Sequence, residues 1–576
     1  MEFSTSLLQL LLSLLLATFA APSWIDVTSP SMGGLVETSD VTIHFSLRDG
    51  LRVPRDGVVR VVANDQEPFD LRDPMESITI GDVQPGTHFF RFTFIPSAAA
   101  ETAGRRRAER FDDALLIVER VPRAIARFDA PASSLVYNGG GGGAPRPLRI
   151  AFCGTTKLDG QKSIWLQQIE RVQRAADADE AAFVCLTCDG PLDAPLANQV
   201  RALGARFVAS AKLSLPRAVA THPSFPANVV ALLRGGVGSA ACAANDDAAA
   251  ACAALDASLV RPLRGFDVAV FANSQEPQDV LLAEGARAAG VRAVVMDLPN
   301  LRPHPTLAGL LDGVVAPSHF ALLHDSVHAG RGWCRPAARG GGTTVGECGV
   351  VINPSVDAAR FVPADPDADA GRRPLRVGFV GRVAPEKSPG LFLAAAQRVL
   401  AELGREPLRS GRAVRFVVIG DGFVRPLLEA YARSLGESVA RAVEFTGWVE
   451  WQTLPALLST LDVVVNPSLR DSETFCISNI EALASAVPLV TFGSGGIGEY
   501  MVNGTTGLVA VKPNAASLAR QILALLRRPA ERKRMGAEGR RAVRRRFGVD
   551  AMVERYLDFY RQRAGVGDGD IIGNRS

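Results

Sequence analysis

Charge of one sign is what this 576-residue sequence has least of: 63 basic against 60 acidic side chains leave a net +3. So small an excess argues against a nucleic-acid partner, which shows itself as a strongly basic face. The runs Arg105 to Arg107 and Arg544 to Arg546 read as solvated faces or loop edges. Long apolar runs are as scarce. Only 7–21 stands out, rich in leucine and with small residues at Ala17, Ala20 and Ala21 suited to cleavage. It falls short of the roughly 20 residues a membrane span needs and fits the core of a secretory signal, although no Lys or Arg precedes it. The reading is a cleaved signal in preference to an uncleaved anchor that would tether the protein to a membrane. It places the chain in the secretory pathway, in the ER or Golgi lumen or secreted.

Cysteine is thin too, at eight residues. Cys185 and Cys188 form a C-x-x-C, but no second such pair exists to complete a zinc site, so no metal is expected and the pair reads as a strand end plus a loop thiol. No cysteine lies between Trp24 and Ala130, which excludes an internal sheet-to-sheet disulfide there. In a lumenal protein the sequons at Asn503 and Asn574 would be glycosylated.

What is present is a folded composition, 47% hydrophobic and 21% charged, outside the disordered regime. The length suggests about three domains. After a signal or anchor at 1–23, residues 24–130 carry short alternating stretches (Val41 to Leu47, Val58 to Val62, Ser77 to Ile80, His88 to Phe94, Ala114 to Glu119) separated by turn signals. They predict an all-β, immunoglobulin-like sandwich. A Gly/Pro linker covers 131–147. From 148 to 337, and again from 345 to 545, strand and helix patterns alternate. That alternation predicts parallel sheets covered by helices, hence two Rossmann-like doubly wound α/β domains facing across a ligand cleft. Ala240 to Ala257 reads as a helix or a surface insertion without chemistry. A helix at 546–565 ends the ordered pattern.

The loops after strands in the second half are the informative places. The strand ending at Val380 runs into Gly381-Arg-Val-Ala-Pro-Glu-Lys387, two cations in one loop. Arginine grips a phosphate with two donors and lysine acts as a point charge. The strand ending at Val465 leads into Asn466-Pro-Ser468, then Glu473, then a helix over Cys476 to Ala486. That helix start offers free N–H groups and a positive dipole for phosphate near Phe475 and Cys476. Glu473 and Glu481, about 12 Å apart if all helical, suit two carboxylates holding the two sugars of one nucleotide sugar.

These residues, with Asn353-Pro-Ser-Val-Asp-Ala-Ala-Arg-Phe361, Gly420-Asp-Gly422, Glu444-Phe-Thr-Gly447 and Gly495-Gly-Ile-Gly-Glu499 in the same order, resemble the donor domain of glycosyltransferase family 4, of GT-B fold. The resemblance implies Arg382 and Lys387 on the donor diphosphate, Glu481 on the ribose, and Glu473 as the catalytic residue on the hydroxyls of the transferred sugar. Gly381, Phe475 and Cys476 complete the donor contacts, with Gly420, Gly447 and Glu499 as further candidates. It also implies retention of anomeric configuration, no cofactor and no obligatory metal, and that the C-terminal helix at 546–565 crosses back to the first of the two α/β domains. Many members carry a histidine beside the reacting sugar. The corresponding stretch here, Met296 to Asn300, has none, and His304 reads as a loop residue. The expected function is a retaining glycosyltransferase moving a sugar from a nucleotide diphosphate sugar to an unknown acceptor: glycan, glycoprotein, lipid or small molecule. The alternative is a catalytically inactive GT-B nucleotide-sugar or glycan-binding protein of the secretory pathway.

Overall fold

The computed structural model describes residues 25–29, 34–36, 41–47, 53, 57–63, 69–71, 77–80, 86–96, 113–120, 147–154, 160–174, 179–185, 194–209, 213–222, 224, 226–236, 239–272, 278–297, 307, 309–322, 349–364, 373–469 and 473–565. The signal at 1–23, the Gly139 to Gly143 linker and His304 lie outside them. By its contacts the chain divides into two units, Met1–Arg127 with Ala358–Arg544, and Phe128–Asp357 with Arg545–Ser576.

The first unit opens with eight short strands: β1 (Ile25–Ser29), β2 (Gly34–Val36), β3 (Val41–Leu47), β4 (Gly57–Ala63), β5 (Phe69–Leu71), β6 (Ser77–Ile80), β7 (Gly86–Pro96) and β8 (Asp113–Arg120). They form two sheets, β1-β3-β6 and β2-β8-β7-β4-β5, antiparallel except where β2 meets β8. Alternation decides which face is buried: Val41, Ile43 and Phe45 of β3 pack with Val59, Val61, Phe90 and Phe92 in one core, while Thr42 and His44 face out.

Its second part is a six-stranded parallel sheet: β16 (Leu375–Val380), β17 (Val414–Ile419), β18 (Val443–Gly447), β19 (Val463–Asn466), β20 (Leu489–Thr491) and β21 (Gly507–Val509). The order β18-β17-β16-β19-β20-β21 reverses direction between β16 and β19. Near-continuous apolar runs such as Val377, Phe379, Phe416 and Val418 are buried because helices cover the sheet. One covering helix, Pro389–Arg405, contributes Leu391, Phe392, Ala395, Ala396 and Val399, spaced at three and four residues, to that core.

The second unit repeats the scheme with seven parallel strands: β9 (Arg149–Gly154), β10 (Glu180–Cys185), β11 (Arg206–Ala209), β12 (Val268–Ala272), β13 (Ala293–Asp297), β14 (Gly313–Ala316) and β15 (Gly349–Val351), in the order β11-β10-β9-β12-β13-β14-β15. The alanine-rich segment forms the helix Asp246–Leu255, capped by Asn245, whose side chain accepts from the Ala248 N–H, and runs into a π-helical stretch, Asp256–Val260. A disulfide joins Cys242 to Cys252. Cys185 is also disulfide-bonded, so the strand end itself carries a bridge that the sequence reading did not foresee. Among the described residues no helix is long and apolar enough to cross a membrane.

The C-terminal helix Val549–Ala564 belongs to this second unit. Tyr560 is buried and donates its hydroxyl to Gln168 Oε1 at 3.1 Å, Arg555 donates to the Val351 carbonyl at 2.7 Å, and Arg561 pairs with Asp179. Gly313 makes the approach close: a Cβ there would sit 2.7 Å from the ring of Phe559. Gly313→Ala is therefore expected to destabilise the protein by about 1–3 kcal/mol through overpacking. Denaturant titration checks this, and an unchanged midpoint would show that the helix yields without cost.

Candidate functional site

The candidate residues gather at the carboxyl ends of β16 to β20, where strand order reverses and doubly wound sheets bind ligands. β16 and β19 pair in parallel through Val377 with Val463 and Gly378 with Val464. Their following loops, far apart in sequence, therefore emerge side by side. One carries Gly381, Arg382 and Lys387, and the other carries Asn466, Ser468 and Glu473.

Lys387 and Glu473 meet. Lys387 Nζ donates to both carboxylate oxygens of Glu473, at 2.8 and 2.7 Å, and Ser468 Oγ donates to Oε2 at 2.8 Å. The Glu473 side chain is only 5% exposed. Burial pulls the Lys387 pKa down, but the charges of Glu473 and Cys476 and the Glu473 hydrogen bond outweigh it, leaving the ammonium above its ordinary value. Arg382 is placed differently. Its side chain is 66% exposed, with Glu386 3.4 Å away as its one ion pair among the described residues.

The helix after Glu473 runs Ile477–Ala484, a turn shorter than expected. Cys476 precedes it with φ 68°, the left-handed region that disfavours a side chain, and no side chain caps the helix. Phe475 is buried with its ring 5.0 Å from that of Tyr500. Cys476 is a free, half-buried thiol. Burial and the Glu473 charge push its pKa up to about 11, against the opposing pull of Lys387, so it is no nucleophile at neutral pH.

A buried polar chain holds this turn. Asn466 Nδ2 donates to Asn479 Oδ1 at 3.2 Å and to Cys476 Sγ at 3.1 Å. Asn479 Nδ2 donates to the Tyr500 hydroxyl at 2.9 Å, which donates to the Phe475 carbonyl at 2.6 Å. Sequence reasoning missed Ser468, Asn479 and Tyr500 as supporting residues. Asn466-Pro-Ser468 is a motif to which the sequence assigns no role, while Tyr500 packs its ring on Phe475 and gives its hydroxyl to the chain. Trp448 is 72% exposed.

The glycines named from sequence form one crossing of loops. The Gly381 N–H donates to the Ile419 carbonyl and the Gly420 N–H to the Gly447 carbonyl, and all three have positive φ. A Cβ on Gly420 would lie 2.1 Å from the Gly381 carbonyl oxygen. Glu499 ends the turn Gly496–Glu499, whose first N–H donates to the Glu473 carbonyl at 2.9 Å.

Glu481 stands apart from this cluster. It is half-buried, and burial pushes its pKa up to about 7 against the opposing charge of Arg360. The Arg360 guanidinium stacks 3.4 Å from the Trp451 ring centroid. In the second unit, Asp297 ends β13 where a histidine had been sought. Its buried carboxylate accepts from Trp165 Nε1 at 2.6 Å, which explains it as a structural acceptor. Among the described residues no cluster of His, Cys, Asp and Glu could hold a metal ion.

Residues 367–542 match the family model described as glycosyl transferases group 1. The D-inositol 3-phosphate glycosyltransferase of Nocardia farcinica is 32% identical over 246 residues, covering 39% of this chain and 52% of that protein. The glycogen synthase of Mycobacterium tuberculosis is 32% identical over 200 residues, covering 35% and 44%. The chain thus spans about half the length of the curated relatives it matches. Among solved structures, Anabaena Alr3699/HepE in complex with UDP superposes with a TM-score of 0.51 at 15% identity, over 71% of this chain and 98% of that one. That likeness extends to the fold, the GT-B-like α/β arrangement of parallel sheets.

The relatives overturn one expectation from the sequence. They are bacterial proteins, and bacteria have no ER or Golgi lumen. The secretory-pathway location and the glycoprotein reading of the sequons lose their footing; the run at 7–21 lies outside the described residues, among which no helix is long and apolar enough to cross a membrane. Asn503 has a structural task instead, its Oδ1 accepting from the Val509 N–H at 2.9 Å.

The raised pKa of Glu481 sets a pH dependence. Below pH 4.5 the group is neutral folded and unfolded. As pH climbs toward 7 the unfolded chain ionises first and stability falls, by at most about 3 kcal/mol once the folded pKa is passed. Glu481→Gln should therefore raise the melting temperature at pH 8 and leave it unchanged at pH 3, well below both pKa values. Equal shifts at both pH values would refute the burial account. Gly420→Ala should lower stability by about 1–3 kcal/mol through strain at positive φ, read by thermal unfolding.

Proposed function

We propose that this chain is a retaining glycosyltransferase of the family 4 type. In this reading it moves a sugar from a nucleotide diphosphate donor, seated at the carboxyl ends of β16 to β20, to an acceptor of unassigned chemistry. The observation that carries it is the juxtaposition of Lys387, Glu473 and the start of the Ile477–Ala484 helix at the strand-order reversal, inside the stretch that matches the group 1 family model.

Charge develops on the diphosphate oxygen as the glycosidic bond breaks. Lys387, the helix N-terminus and Arg382 are the groups on hand to stabilise it. The exposed guanidinium of Arg382 is free to swing onto phosphate and offers two donors. Glu473 takes the sugar hydroxyls and Glu481 the ribose. With two cations and a helix dipole on the diphosphate, the reading requires no metal, and transfer should survive chelation. Retention follows if the acceptor attacks on the face the leaving group vacates. The acceptor side is assigned to residues 148–337, and the N-terminal antiparallel sheets are read as an immunoglobulin-like spacer or docking module.

A thermal-shift titration with nucleoside diphosphates tests the reading first. At about a hundred times the dissociation constant, stabilisation of roughly 2.7 kcal/mol is expected, with the shift lost in Arg382→Ala. Lys387→Ala and Glu473→Ala should each abolish transfer from the nucleotide sugar of the base so identified while unfolding remains cooperative. Full activity in both variants would refute the site.

A further inference from the structure

We infer that the Lys387–Glu473 ion pair is a selector, built to favour intact nucleotide sugar over free nucleoside diphosphate; the inference rests on the donor-site reading above. In the structure the site's half-buried cation is already taken. Lys387 Nζ bonds both oxygens of Glu473, and the one other donor to that carboxylate among the described residues is Ser468 Oγ. Among the described residues Arg382 pairs with Glu386 and not with Glu473, so it can join the diphosphate but does not take the lysine's place on that carboxylate.

A diphosphate can claim Lys387 only by drawing it off Glu473. A nucleoside diphosphate that does so leaves a buried carboxylate with a single hydroxyl donor, next to an arriving anion. Breaking a buried pair in this way is strongly unfavourable. A nucleotide sugar brings its own remedy, because its hydroxyls donate to Glu473 in place of the lysine. One cation therefore serves the carboxylate in the empty site and the phosphate in the filled one, and the sugar decides which. Once the sugar has left, Glu473 reclaims Lys387 and the spent diphosphate is released.

The test is calorimetric titration of the full chain with UDP, GDP and ADP and with their glucose conjugates. The wild type should bind the conjugate of its preferred base about tenfold or more tighter than the diphosphate, a difference of roughly 1.4 kcal/mol at tenfold. Glu473→Gln keeps the side-chain volume but releases the lysine. It should tighten the diphosphate by about tenfold and erase the preference for the conjugate. In a Lys387→Gln background the same substitution should have a much smaller effect, the remainder being relief of carboxylate–phosphate repulsion. Ser468→Ala gives a second reading with opposite sign: Glu473 then depends on Lys387 alone, and the diphosphate should bind severalfold more weakly. If Glu473→Gln fails to unfold cooperatively, Ser468→Ala decides. Wild type that binds both ligands, with diphosphate affinity unchanged or weakened by Glu473→Gln, or unchanged or tightened by Ser468→Ala, would overturn the selector. If neither ligand of any base binds any form of the protein, the donor-site reading itself fails, and the selector with it.

Discussion

The ion pair between half-buried Lys387 and buried Glu473 ties together the two loops that follow β16 and β19. Two charges out of water are costly unless geometry and further hydrogen bonds compensate them. Here the compensation is local: two short bonds from one ammonium, and a third from Ser468. Those partners come from two loops that only the order β17-β16-β19 makes neighbours. The closeness of β16 to its surroundings depends in turn on Gly378, where a Cβ would fall 2.5 Å from Leu461. A sheet built any other way would leave one of the charges buried alone.

Around the pair the site is rigid where it must shape backbone and open where it must receive a ligand. Asn466, Asn479 and Tyr500 are buried, and each polar group in their chain has a partner, the condition under which such a network stiffens a structure instead of weakening it. It ends on the carbonyl of Phe475 and fixes the turn that brings Cys476 into left-handed backbone. Arg382 has no such scaffold. Its freedom fits a group that moves onto an incoming anion.

Much of this was legible in the sequence, and the reasons are physical. The strand ending at Val380 falls where its apolar run puts it, because a strand covered on both faces must be largely apolar. The Val41 to Leu47 strand was equally plain from its period of two. Helix ends were less so: the helix predicted from Cys476 to Ala486 stops at Ala484, since capping depends on backbone angles that composition does not carry. The conjunction of Lys387 with Glu473 needed a family resemblance to suggest it. Nothing local marks two residues on different loops as partners until strand order is known. Ser468, Tyr500 and Arg360 stayed hidden for the same reason, and the Cys242–Cys252 bridge because cysteine spacing alone does not name pairs. The apolar run at 7–21 misled on location, because a short leucine-rich segment carries no information beyond its hydropathy.

The most direct measurement is a crystal structure of the full chain with a bound nucleoside diphosphate sugar. The account predicts the diphosphate against Lys387, Arg382 and the start of the Ile477–Ala484 helix, the sugar hydroxyls on Glu473, and the lysine parted from that carboxylate. Ligand density elsewhere, or a diphosphate bound while Lys387 keeps both bonds to Glu473, would contradict it.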